Sequence, residues 1–215
     1  MSMTARNQEI TTLLFDWDGT LADSSHRSFI AYEKSFRDLG IAFDQEIYDA
    51  CYAPNAYLMY EVLNLPAERW PEADDLWVRH YGQEPAELVT DARETLLLLH
   101  RKGYRFGVVS SGSRSRVMRE IDELELSSIF SVVVCNEDIQ HKKPHPEGLE
   151  KAMALLEAGK RSCSYIGDAP DDIRMGKNAE VLTVAVPSSF PSSKDLHEAH
   201  PDIHLASIKE LLLHF

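Results

Sequence analysis

The sequence predicts an α/β protein, a doubly wound parallel sheet into which a purely helical segment is inserted. Three observations predict it. Beyond Pro85, short β-type runs alternate with helical stretches of about ten residues, the pattern of parallel βαβ units. Between residues 24 and 83 the apolar spacing is helical instead. Asp16, Ser110 and Asp168 each come directly after a β-type run, and open parallel sheets carry their sites beyond the carboxyl ends of their strands.

The elements follow in order. Residues 11–15 (TTLLF) are a short β-type run that stops at Asp16, and the DWDGT that follows supplies the glycine of a sharp turn. FIAYEKSFRDLG, IYDACY, AYLMYEVLNL and DDLWVRHYGQ carry helical spacing, with Gly40, Pro54, Pro66 and Pro71 as punctuation. They define a helical cap over residues 23–87, set within a core formed by 1–22 and 88–215. Thr90 is placed to cap a helix running to about residue 102 and Gly103 to end it; 104–109 (YRFGVV) is then a buried-type strand. Helices are expected over 114–124, 146–158 and 170–178, and strands over 131–135, 163–166 and 181–186. Ser207 with Glu210 offers a capping box for a last helix through Leu213.

Composition narrows the function. A chain of 215 residues suits one large domain, or a core with a modest insertion. Lys and Arg number 22 against 35 Asp and Glu, a formal charge of −13, so the overall field repels phosphate backbones and anionic lipid headgroups. Nucleic acid and membrane surfaces are therefore not expected partners. Cys51, Cys135 and Cys163 form no CxxC, which fits free thiols in a reducing compartment. The first ten residues are polar and no run approaches the roughly 20 apolar residues of a membrane helix, so a cytoplasmic protein is expected.

Four segments carry chemistry. FDWDGT sets Asp16 and Asp18 two residues apart; VVSSGS sets Ser110, Ser111 and Gly112 after a strand; KKPHPE sets Lys143 before a proline; YIGDAPDD sets Asp168 and Asp172 after another strand. Taken alone, DxD reads equally well as a strand-ending turn with solvated carboxylates. In this order, the four resemble the signature motifs of the haloacid dehalogenase superfamily: DxDGT, a strand-ending Ser or Thr, a Lys before Pro, and GDxxxD. The resemblance extends over the whole chain. The helical segment between the first two motifs matches the branch related to phosphoglycolate phosphatase and β-phosphoglucomutase.

The resemblance implies a Rossmann-like core and a Mg²⁺-dependent phosphatase acting on a small phosphorylated metabolite, as a monomer or homodimer. It makes Asp16 the nucleophile and Asp18 the general acid and base. Ser110, with Ser111 and Gly112 beside it, and Lys143 would bind the phosphoryl oxygens. Asp16, Asp168, Asp172 and the backbone carbonyl of Asp18 would surround the metal. Asp171 has no counterpart in the pattern.

Elementary electrostatics asks for the same parts. A phosphate monoester and three carboxylates repel one another by about 4 kcal/mol per pair at roughly 4 Å and an effective dielectric of 20, more than Lys143 alone offsets. A hard divalent ion with oxygen ligands fits that need. Asp18, to act first as an acid, is expected to have its pKa raised by burial or nearby acids. An acid at this position also favours a phosphatase over a dehalogenase, because halide leaves without a proton. A phosphomutase using the same aspartyl phosphate shares all four motifs, and a non-catalytic module retaining the fold is the third alternative.

Other features have plain readings. His141, Lys142 and His145 around Lys143 are expected to be solvated loop positions. Tyr60, Trp70, Leu76, Trp77 and Tyr81 are expected in the core of the helical segment rather than facing a substrate. Arg114 and Arg116 are expected in solvent.

Overall fold

Strand β1 (Thr12–Phe15) lies at the centre of a six-stranded sheet and fixes where the site forms. A computed structural model describes residues 10–53 and 56–215. The other strands are β2 (Arg105–Val109), β3 (Phe130–Val134), β4 (Cys163–Gly167), β5 (Leu182–Ala185) and β6 (Ile203–His204). Their order is β3-β2-β1-β4-β5-β6, and every neighbouring pair is parallel. All four β1 residues are buried, as expected of a strand covered on both faces.

Alternation along β1 divides the interior. Leu13 and Phe15 join a cluster with Leu96 and Leu99 of α5 (Ala92–Arg101) and Val117 and Ile121 of α6 (Arg114–Glu123). Leu14 faces the other way, toward Leu149 and Met153 of α7 (Glu147–Leu155) and Met175 of α8 (Pro170–Asn178). Two helices cover each face, the doubly wound arrangement that the alternation predicts.

Between β1 and α5 the chain is helical: α1 (Ser25–Asp38), α2 (Gln45–Cys51), α3 (Ala56–Val62) and α4 (Trp70–Tyr81). These helices have an apolar cluster of their own, with Phe36, Tyr48, Met59 and Tyr60 at most 1% exposed. Asp44 caps α2 by accepting from the Ile47 amide at 2.9 Å. The chain leaves the sheet and returns to it side by side, through a bridge between Ala22 and Leu88.

Several local expectations differ. Helix α5 starts at Ala92, two residues beyond Thr90, from an Asp91 at φ 65° whose side chain makes no cap bond. Pro71 lies in the first turn of α4, where a missing N–H costs nothing. The last helical stretch, Ile208–Leu213, is 3₁₀; Ser207 makes no cap bond and Glu210 accepts from the Ala206 amide rather than that of Ser207, so the expected capping box does not form. Pro54 and residues 1–9 lie outside the described residues. Among the described residues no helix is long and apolar enough to cross a membrane.

Candidate active site

The sheet register brings the motifs together. Phe15 pairs with Val108 and Ile166, so Asp16 emerges level with the last residues of β2 and β4, one step short of Ser110 and Asp168. The Asp16 amide donates to the Ile166 carbonyl at 2.9 Å. The chain then turns back sharply, with the amides of Leu21 and Ala22 both donating to the Trp17 carbonyl. Gly19 makes this turn possible. Its φ of +81° is in the left-handed region, and a Cβ there would lie 2.8 Å from the Phe190 ring and 2.9 Å from Asp168 Cγ.

Three buried carboxylates meet at this edge. Asp16, Asp168 and Asp172 each offer an oxygen within 4.8 Å of the others. Lys143 Nζ joins two of them, donating to Asp16 Oδ1 at 2.6 Å and Asp172 Oδ1 at 2.7 Å. Asp168 accepts from the Thr20 hydroxyl at 2.7 Å and the Ser188 hydroxyl at 2.6 Å. Asp172 also accepts from the Tyr165 hydroxyl at 3.1 Å and the Ala169 amide at 3.0 Å, so its carboxylate is the most fully engaged of the three.

The cluster is short of positive charge. Burial, opposed by Lys143 and reinforced by Asp172 and Asp168, holds the Asp16 carboxyl well above its usual range. Burial and then Asp172 push Asp168 up to about 7. Lys143 is raised too: burial would lower it, but Asp16 and Asp172 outweigh burial and hold the ammonium protonated. Three buried carboxylates against one ammonium leave a negative site of hard oxygen donors, the donor set that suits Mg²⁺. Asp16 and Asp168 are the best placed to serve as ligands, because Asp172 is committed to Lys143, Tyr165 and Ala169.

Asp18 differs from expectation. Burial raises its carboxyl, but the Arg116 guanidinium, helped by Ser24 and Lys143, holds it below the usual carboxylate range. Arg116 Nη2 lies 2.6 Å from Asp18 Oδ2 and Nη1 2.9 Å from Oδ1. Arg116 is therefore not in solvent; it is 9% exposed. An Arg116/Glu120 pair at i,i+4 reads as a surface ion pair, yet Val117 and Ile121 share its helix face, and that mixed stripe is the signal that points inward. Arg114 is exposed and pairs with Asp138.

A cavity of about 320 Å³ opens beside these groups. Asp16, Asp18, Lys143 and Asp168 lie on its sheet side, with Ser111 and Gly112. Ser110 is buried, 3% exposed, and its Oγ accepts from the Gly112 amide at 2.9 Å. The helical segment closes the opposite side. Trp70 and Leu76 pack only in that segment's core, as expected, whereas Tyr60, Trp77 and Tyr81 also line the cavity. Asp74, absent from the sequence reading, lines it too and accepts from Tyr60 at 3.0 Å and Tyr57 at 3.2 Å. Tyr52 stacks on Phe190 with centroids 5.3 Å apart, a contact between the helical segment and the loop after β5. His141 and His145 are exposed, and Glu147 holds their loop by accepting from the Gln140 and His141 amides at 2.9 and 2.8 Å. Asp171 is half-buried on the cavity rim and pairs with Arg174.

A family model of haloacid dehalogenase-like hydrolases matches residues 13–186, from the first residues of β1 to just past β5. The chain belongs to that family. Among its relatives, pyrophosphatase PpaX of Listeria monocytogenes is 31% identical over 95% of both chains. Pyrophosphatase PpaX of Bacillus anthracis is 29% identical over 95% of this chain and 96% of the relative. The fold matches that of CbbY from Rhodobacter sphaeroides, solved in complex with phosphate, at a TM-score of 0.80, 21% identity and coverage of 94% and 96%. A haloacid dehalogenase-like family protein of Streptococcus pneumoniae matches at 0.83, 22% identity and coverage of 96% and 98%.

Proposed function

We propose that this hydrolase is a Mg²⁺-dependent phosphatase that transfers the phosphoryl group of a small substrate to Asp16 and then to water. The observation that carries the reading is the placement of Asp16: a buried carboxylate on the cavity wall, 2.6 Å from Lys143 and beside two further carboxylates. An ionised carboxylate needs no base to attack phosphorus, and its acyl phosphate splits a hard hydrolysis into two easier steps.

Lys143 would bind a phosphoryl oxygen and, together with a bound metal ion, favour the ionised form of Asp16 that burial alone opposes. Ser110, Ser111 and Gly112 would supply further donors to the equatorial oxygens. Asp16, Asp168 and Asp172, with the Asp18 carbonyl, would hold Mg²⁺, which when bound would supply positive charge for the phosphoryl group. Asp18 would protonate the departing oxygen and then take the proton of the attacking water. The ionised form that Arg116 favours is the form for the second task; a phosphate dianion arriving next to it favours proton uptake for the first.

Residues 23–87 act in this reading as a cap, with Tyr52 against Phe190 among its contacts to the core. A cavity of about 320 Å³ suits a small phosphorylated metabolite. The pyrophosphatase name of the 31% identical relative places a phosphoanhydride among the substrates to try first. Inorganic phosphate release from 4-nitrophenyl phosphate, with Mg²⁺ and with EDTA, tests the proposal. Release that needs Mg²⁺ and vanishes in Asp16→Asn supports it; undiminished release by that variant refutes it.

A further inference from the structure

Asp18 is held by more than its own turn. Its side chain is 26% exposed at the cavity, where its backbone alone does not fix the carboxylate plane. Arg116 grips both carboxylate oxygens with two nitrogens of one planar group, at 2.6 and 2.9 Å, which fixes that plane. The guanidinium is itself held: Nη1 lies 3.2 Å from Glu120 Oε2 and 3.4 Å from the Tyr81 hydroxyl, and the group lies 5.1 Å from the Tyr81 ring centre.

Glu120, wholly buried, receives the Trp17 indole N–H at 2.8 Å and pairs with Arg27. Trp17 stands between Asp16 and Asp18 in the chain, so Asp18, Arg116, Glu120 and Trp17 form a closed ring. With Arg27 paired to Glu120 from outside the ring, two cations balance two carboxylates, which offsets the cost of burying them. The ring ties the position of Asp18 to the peptide that carries Asp16.

We infer that Arg116 is a positioning residue that holds the Asp18 carboxylate for the second half of the reaction. This rests on the phosphatase reading above. In that half a water oxygen bonds to phosphorus, the bond from phosphorus to the Asp16 oxygen breaks, the water proton passes to Asp18, and inorganic phosphate leaves with Asp16 restored as a carboxylate. A misplaced base slows this step more than the first when the leaving group needs no proton.

4-Nitrophenyl phosphate is such a substrate, and rapid-mixing kinetics of Arg116→Met and Arg116→Lys test the inference. The expected result is a burst of 4-nitrophenolate near one per active site, then turnover about ten- to a hundredfold below wild type. KM falls with kcat, kcat/KM stays within a few-fold, and acid quenching finds most of the enzyme phosphorylated on Asp16. Lys keeps the charge but cannot grip both oxygens, so it shows the same burst with a smaller loss, and it carries the test if the Met variant does not fold. Loss of kcat/KM in step with kcat, without accumulated phosphoenzyme, overturns the inference. Wild-type phosphate release and its loss in Asp16→Asn judge the underlying reading separately.

Discussion

Replacing Asp168 with asparagine removes the carboxyl that burial and Asp172 push up to about 7, while the Thr20 and Ser188 hydroxyls can turn to bond the amide. In the unfolded chain that carboxyl ionises near 3.8. Between those two values the metal-free folded state keeps a proton that the unfolded state has lost, so stability falls as pH rises from about 4 to about 7 and is unaffected below. A displacement of about three pH units corresponds to about 4 kcal/mol lost across that range. For a chain of this size each 1 kcal/mol moves the melting temperature by about 2–4 °C, giving roughly 8–16 °C. In EDTA, the melting temperature of Asp168→Asn should therefore gain on wild type by that margin between pH 4 and pH 7. Mg²⁺ at about a hundred times its Kd should restore about 2.7 kcal/mol to wild type at neutral pH and much less to the variant. Thermal melts by circular dichroism across pH, with and without Mg²⁺, measure both effects. A flat difference between the two proteins, or an equal response to Mg²⁺, would refute the account of the cluster.

Three further outcomes are expected. Lys143→Met leaves Asp16 and Asp172 without their cation, at a cost of about 3–5 kcal/mol in EDTA that urea unfolding would detect and Mg²⁺ would partly offset. Gly19→Ala forces a Cβ against Asp168 and Phe190 at φ +81°, costing at least about 1–2 kcal/mol in backbone strain; calorimetric titration should show weakened Mg²⁺ binding. Phe36→Ala empties a fully buried site that meets Tyr60 edge to face and Phe43 at a tilt in the helical segment, costing about 3–5 kcal/mol in urea unfolding.

Much of this was legible because the signals are local. Continuous apolar runs ending at Asp16, Ser110 and Asp168 reveal buried parallel strands, and the sheet register does the rest. What escaped depends on distant partners. Strand β6 has two residues, too few for any period, and pairs only because β5 offers an edge. Ser188 reaches Asp168 from twenty positions away, with nothing in its neighbourhood to mark it. Arg116 was misjudged because a charged residue on a helix reads as solvated; Asp18, ninety-eight positions away, draws it inward. The same pair is the main reason that the pKa of Asp18 falls where a rise was expected, with Ser24 and Lys143 acting alongside the guanidinium against burial. The cavity wall formed by Tyr60, Asp74, Trp77 and Tyr81 follows from how the helices pack on one another, which their individual patterns leave open.

The central claim is that Asp16 accepts a phosphoryl group. Mass mapping of acid-quenched enzyme after brief exposure to substrate and Mg²⁺ addresses it directly. The account predicts one added phosphoryl group on the peptide containing Asp16, absent with EDTA and absent in Asp16→Asn. A turning-over enzyme with that peptide unmodified at every quench time, or with the phosphoryl group on another residue, would contradict it.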